Sequence, residues 1–186
     1  EKFGDLITAD HLITNMYKDL GSDGESAALV VLDRATSFVG MYPVGSKTAN
    51  DAVEALTHFS GGAEVSRFYS DNSAELISAA RRLGWPHDTS TPGRPATNGV
   101  AERNVRRVLE GTRTLLLQAG FDPEWWPCAS RHFAMAWNIE SYADGSAWFK
   151  RFGSNFPGLR LPFGSLVDFV PTLFRAGDEP KFAPAT

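Results

Sequence analysis

The chain has a single cysteine, Cys128, so no internal disulfide can form and a reducing compartment is the expected setting. Its four histidines, His11, His58, His87 and His132, make no finger-like spacing with one another or with that cysteine, which removes the familiar zinc patterns. No apolar run is long enough to span a membrane, and no basic, apolar leader opens the sequence. No segment repeats at a fixed period. Basic residues are outnumbered: 18 Lys and Arg against 22 Asp and Glu leave a net charge of −4. That balance argues against a protein that holds nucleic acid by bulk electrostatics.

What is present is enough for one domain. The chain has 186 residues, 42% of them hydrophobic, which supports a single core and a short appendage. The positive charge is concentrated locally. Arg94, Arg103, Arg106, Arg107 and Arg113 fall in one stretch that holds only two glutamates, with Arg81 and Arg82 a little upstream. Such a patch on an acidic protein can grip a phosphate backbone; the plainer reading is a solvated helix face.

Three strands open the chain, over 5–13, 26–33 and 37–44, the second a continuous β-branched run of the kind buried on both faces. Short links make them antiparallel neighbours, and Pro43 belongs at an edge or strand end. A helical period follows over 47–59, then a short strand over 64–70, a helix over 73–83 closed by Gly84, and a possible strand over 85–90. The two prolines and the glycine of 91–98 make a loop. A long helix runs over 99–119, capped by Asn98 or Thr97 and ended by Gly120, and a second, aromatic-rich helix over 124–141. Trp125, Trp126, Phe133 and Trp137 recur near helical spacing as core or interface, and Cys128 is expected to be buried among them. Residues 1–143 form the core domain on this reading, and 144–186 an extension that packs on it and frays at its end. The order β-β-β-α-β-α-β-α-α predicts an α/β fold: a five-stranded mixed sheet flanked by helices, as in ribonuclease-H-like proteins.

Three carboxylates carry the chemistry. Asp10 interrupts an apolar strand, where an uncompensated carboxylate would cost several kcal/mol. Asp71 follows the strand RFYS; it can serve as a turn and cap residue or as a strand-end metal ligand. Glu102 stands in the first turn of the long helix, with Arg106, Glu110 and Arg113 on its face and Arg103 and Arg107 in the adjacent row. Ordinary i,i+4 pairing is the competing reading of that face. Two strand-end aspartates and a helix-start glutamate can converge on a pair of divalent cations, the arrangement that performs phosphoryl transfer on nucleic-acid backbones. Such hard oxygen donors suit Mg2+. His11, next to Asp10, points the other way in a regular strand and is better placed as a packing or substrate-edge residue than as a ligand.

FYSDNSAEL resembles the second-aspartate motif of integrase catalytic cores. LGWPHDTSTPGRPATNGVAERNVR resembles their third-carboxylate motif in the form used by copia-type retrotransposon polyproteins, and GDLITADHL fits the first-aspartate strand. SAWFKRFGSNFPGLRLPFGSLVDFV is similar to the stretch that follows the core in those elements, so the resemblance runs from about residue 3 to 170.

The resemblance to this retroviral-type integrase superfamily implies a ribonuclease-H-like core with Asp10, Asp71 and Glu102 as catalytic residues and metal ligands. Mg2+ would be the cofactor, with Mn2+ able to substitute. Asn72, Asn98 and Gly99 correspond to the loop residues beside those carboxylates. It implies an enzyme that trims DNA 3′ ends and joins them to target DNA: water attacks first, a 3′ hydroxyl second. Its partners would be double-stranded DNA, both element ends and target, and further copies of the chain in a homodimer or higher assembly, with no membrane. It would be made in the cytoplasm within a polyprotein and act in the nucleus, and this chain looks like an excised core. Arg94, Arg103, Arg106, Arg107 and Arg113 would bind DNA. Two departures stand out: Ser73 replaces a usual glycine, and 31 positions separate Asp71 from Glu102, a few short of the usual spacing. The competing functions are a ribonuclease-H-like nuclease without strand transfer and a non-catalytic nucleic-acid-binding remnant.

Overall fold

The computed structural model describes residues 1–14, 19–89 and 99–167. Five strands, β1 (Ile7–Ile13), β2 (Ala27–Asp33), β3 (Val39–Val44), β4 (Phe68–Ser70) and β5 (His87–Thr89), form one sheet in the order β3-β2-β1-β4-β5. β1, β2 and β3 are antiparallel neighbours, while β4 runs parallel to β1 and β5 parallel to β4. The helices are α1 (Ala49–Ser60), α2 (Ala74–Leu83), α3 (Gly99–Ala119), α4 (Trp126–Ile139) and α5 (Ala147–Phe152). The expected mixed sheet with flanking helices is present.

β2 shows why the sheet is a central layer. All seven of its residues are buried, and they alternate between two cores. Leu29 and Val31 join Ile7, Ala9, Leu56, Phe59, Phe68 and Leu76 beneath α1 and α2. Ala28, Val30 and Leu32 join Met41, Val108, Trp126 and Ala134 beneath α3 and α4. Gly111 lets α3 and α4 approach: a side chain there would collide with the Phe133 ring.

Boundaries shifted where backbone chemistry overrides apolar pattern. The fourth strand was expected from 64 but is laddered only from Phe68, because the Ser66 N–H turns back to Gly4 O at 2.9 Å. The aromatic helix expected over 124–141 is a 3-10 turn, Pro123–Trp125, followed by α4, with a proline at the start of each. Cys128 is exposed, contrary to expectation: α4 buries Trp126, Pro127, Ala129 and Ser130, and Cys128 falls on the outward arc. Trp126 is core and Phe133 and Trp137 pack against it, while Trp125 is 40% exposed. Pro43 lies on β3, an edge strand, as expected. Gly120 ends α3 with φ +70°. The caps assigned to Thr97 and Asn98, and the frayed tail, lie outside the described residues.

α5 has no counterpart in the sequence reading, although Ser146 caps it by accepting the Phe149 N–H and Gly153 closes it at φ +71°. Its anchor is Arg151, whose guanidinium donates to Phe59 O at 2.6 Å and lies 3.9 and 4.3 Å from the ring centroids of Phe3 and Phe38. Burial pulls the Arg151 pKa below its ordinary value, against Tyr42 and Asp33, which raise it. Asp33 itself is fully buried; its carboxylate accepts from Gly4 N–H at 3.0 Å, Thr36 N–H at 2.8 Å and the Thr36 hydroxyl at 2.6 Å, which fixes the β2–β3 turn.

On the edge strand, buried Asn138 of α4 replaces a missing neighbour. Its Oδ1 accepts the Val39 N–H and its Nδ2 donates to Val39 O, both at 2.8 Å. Asn138→Ala leaves both backbone groups buried and unpaired, so it is expected to cost about 2–4 kcal/mol. For a chain of this length that lowers the midpoint of thermal unfolding by roughly 5–15 °C. A loss of under about 1 kcal/mol in denaturant unfolding would show that the amide bridge contributes nothing special.

Candidate active site

Parallel pairing of β1 with β4 sets the site. The register is Ile7↔Phe68, Thr8↔Tyr69 and Ala9↔Ser70, so Asp10 and Asp71 each stand one residue beyond the last pair on adjacent strands. Neighbouring strands lie about 4.8 Å apart. On β1 the odd residues Ile7 and Ala9 enter the α1/α2 core, and Leu12 packs on the α3/α4 core. Asp10 therefore belongs to the face covered by α3, and His11 to the opposite face, as expected from strand alternation.

Both aspartates are half-buried. Asp10 Oδ1 accepts the His11 N–H at 2.8 Å. Asp71 Oδ1 accepts the Ser73 N–H at 3.2 Å, so Asp71 does perform the turn chemistry its neighbours suggested, with its second oxygen not engaged in that turn. Ser73 has φ −66°, a position any residue adopts, and it serves as the N-cap residue of α2. The replacement of glycine there therefore carries no backbone strain. Asn72 is exposed beside Asp71.

Glu102 is exposed in the first turn of α3, where the helix dipole favours a carboxylate, and Gly99 is the first residue of that helix. α3 lies across β1 and β2 with Ala101, Asn104, Val108 and Thr112 buried. Among the described residues no three His, Cys, Asp or Glu side chains are gathered closely enough to hold a metal ion. The fold thus sets Asp10 and Asp71 side by side and carries Glu102 on the helix over that face, without a closed three-carboxylate cage.

Arg103, Arg106 and Arg113 are exposed along α3. None of the ion pairs among the described residues involves α3, so the expected alternative of Glu110–Arg pairing does not form there. Arg107 differs: it is half-buried, with its guanidinium 4.4 Å over the Trp137 ring. Arg94 and Asn98 lie outside the described residues.

Sequence reasoning missed Glu75, Lys47 and His87, which join His11 near the ends of β1 and β4. Glu75, in the first turn of α2, accepts from Lys47 Nζ at 2.7 Å. Burial is the largest single influence and opposes its ionisation, but the Lys47 hydrogen bond, a backbone hydrogen bond and the charges of Lys47 and His11 together hold the carboxyl below its ordinary value. His11 Nδ1 is 3.9 Å from the same carboxylate, too long for a hydrogen bond, and is buried without a hydrogen-bond partner among the described residues. Burial lowers the His11 pKa, reinforced by Lys47 and opposed by Glu75 and Asp71, so the ring is neutral near pH 7. On the other flank His87 Nε2 is 2.9 Å from Ser70 Oγ; burial lowers its pKa against Asp88 and Asp71. The signal available for Glu75 was its place four residues after Asp71 in a helix's first turn; nothing local marked Lys47.

No protein-family model matches the chain. It is 30% identical over 126 residues, 63% of its length, to the retrovirus-related Pol polyprotein from transposon RE1 of Arabidopsis thaliana. It is 32% identical over 101 residues, 52% of its length, to the Pro-Pol polyprotein of feline foamy virus. The chain spans only 8% and 9% of the length of these two polyproteins. Among solved structures it is similar to a chain of the simian T-cell lymphotropic virus intasome in complex with PP2A regulatory subunit B56 gamma, with TM-score 0.65 at 16% identity over 90% of this chain and 61% of that one. It is also similar to the catalytic core domain of BIV integrase, with TM-score 0.55 at 16% identity over 78% of this chain and 91% of that one. The expected ribonuclease-H-like architecture is therefore the one found. The chain thus has the fold of these solved chains and is similar in sequence to a short part of retrovirus-related Pol polyproteins.

Proposed function

We propose that the chain is a metal-dependent polynucleotidyl transferase core, which processes DNA 3′ ends and joins them to target DNA. The observation that carries this reading is the β1–β4 register, which leaves Asp10 and Asp71 each one residue beyond the last pair on adjacent strands. Asp10, Asp71 and Glu102 supply only hard oxygen donors, which fit Mg2+ or Mn2+. When bound, the divalent ions lower the pKa of the attacking water or hydroxyl and offset charge on the leaving 3′ oxygen.

The residues themselves have distinct tasks in this reading. Asp10 and Asp71 form the fixed half of the ligand set, since both are tied to backbone N–H groups. Glu102 completes it from α3, a closure that metal and DNA binding must supply. Arg103, Arg106 and Arg113 hold the DNA backbone without reading its sequence, and Arg107 adds its in-plane donors while stacked on Trp137. The partners are double-stranded DNA and further copies of the chain, and the place of action is the nucleus. No helix among the described residues is long and apolar enough to cross a membrane.

Strand transfer with a pre-cleaved 3′ end in Mg2+ tests the assignment and separates joining from simple cleavage. Asp71→Asn and Glu102→Gln are each expected to lower the rate roughly 10³-fold or more, since metal assistance supplies several kcal/mol of transition-state stabilisation. In metal-free buffer both variants should melt within a few degrees of the unsubstituted chain, because neither carboxylate belongs to the apolar core. Undiminished turnover by either variant would sink the triad; cleavage without joined product would favour the nuclease reading.

The arginine face generates a second expectation. Replacing Arg103 and Arg106 together by Ala should lower the slope of log affinity against log salt by about two units, equally for unrelated duplexes. Fluorescence anisotropy across a salt series reads this. An unchanged slope would place the DNA elsewhere. Arg107→Ala should additionally lower stability by about 1 kcal/mol through loss of its contact with Trp137.

A further inference from the structure

The α1/α2 side of the sheet carries a linked group of polar side chains that the proposed triad does not use. Lys47 precedes the N-cap residue of α1, Thr48. Its ammonium is 2.7 Å from Glu75 Oε1, and that carboxylate oxygen is 3.9 Å from His11 Nδ1. The His11 backbone N–H in turn donates to Asp10 Oδ1 at 2.8 Å. The connection therefore runs from the β3–α1 link, through the first turn of α2, to the strand that bears Asp10. Asp71 is close enough to act on the His11 ring electrostatically.

The exposures along this path form a gradient. The side chain of His11 is 5% exposed, that of Glu75 18% and that of Lys47 31%. The ammonium is thus the group that reaches solvent, and the carboxylate and ring are the buried support behind it. A lysine ammonium has three donors, and the Glu75 contact engages one. The Glu75 carboxylate confines a long flexible side chain that would otherwise sweep through solvent. A lone surface ion pair would have little reason to rest on a buried imidazole with no hydrogen-bond partner among the described residues.

We infer that Lys47 contacts a backbone phosphate of bound DNA beside the Asp10–Asp71 pair, with Glu75 acting as the residue that positions it. This rests on the reading of the site as a DNA-processing centre. It adds a cationic contact on the side of the sheet away from the α3 arginines, so that the substrate is held from both flanks of the carboxylates. Lys47 acts as a point charge and carries no sequence preference.

The test uses the full chain with duplex DNA, reading anisotropy over a salt series and Mg2+-dependent joining of a pre-cleaved end. Lys47→Ala is expected to lower the salt slope by about one unit and to weaken binding equally for unrelated duplexes, while Lys47→Arg retains the slope. Glu75→Gln keeps the ammonium but releases it, so binding should hold its slope while the joining rate falls several-fold. A purely structural role would lower the melting temperature of Lys47→Ala and leave the slope unchanged, and that result would overturn the assignment; should the Ala variant not fold, a Lys47→Gln variant gives the same reading. If the unsubstituted chain binds and joins DNA and the Lys47 variants are indistinguishable from it, only the Lys47 assignment falls. If the unsubstituted chain neither binds nor joins DNA, the functional reading falls with it.

Discussion

Three residue pairs between β1 and β4 are the constraint on which the candidate site depends. Parallel pairing has no hairpin to enforce it: the chain passes through β2, β3 and α1 before β4 returns beside β1. With so short a ladder, side-chain burial must hold the register. Phe68 does this. It is fully buried, pairs with Ile7 on one side and His87 on the other, and its ring packs edge-on to Trp85 and stacked on His87. A slip of one residue would turn the side chains of β1 over. Asp10 would then enter the apolar core beneath α1 and α2, where desolvation forbids it. The burial of Ile7, Ala9 and Phe68 and the placement of the carboxylates are thus one packing problem with one solution.

What was legible in the sequence was local. β2 declared itself by a continuous β-branched run, α3 by its period and its closing glycine, and the opposed directions of Asp10 and His11 by alternation along β1. What was not legible depends on contacts between distant residues. Asn138 and Val39 are 99 positions apart, and Arg151 and Phe59 are 92 apart. No spacing rule connects them, and α5, with six residues, is too short for a helical period to show. The early truncation of β4 has the same origin, because the Ser66 N–H finds its acceptor in Gly4, far back in the chain. The Lys47–Glu75 pair belongs with these: each residue reads as ordinary surface until the fold brings them together.

The turn after β2 and the short helix α5 share a second dependence on buried charge. Asp33 accepts three donors in a site with no exposure, so its buried oxygens are satisfied by hydrogen bonds. Arg151 is near enough to feel that charge while its guanidinium lies against Phe3 and Phe38. The arrangement joins the chain's first residues, the β2–β3 turn, α1 and α5 on the side of the sheet away from α3.

An overall charge of −4 sits uneasily with a polyanionic substrate unless position matters more than sum. Here it does. The exposed arginines of α3 lie on one side of the Asp10–Asp71 pair and Lys47 on the other. Carboxylates at the centre would repel a phosphate by themselves, so substrate affinity on this plan is conditional on cations that neutralise the centre, while the flanking side chains supply the contacts that position the backbone. Two separable dependences follow from that geometry: the flanks respond to monovalent salt through the phosphates they neutralise, and the centre responds to divalent ion through its carboxylates. A bulk electrostatic binder would show only the first.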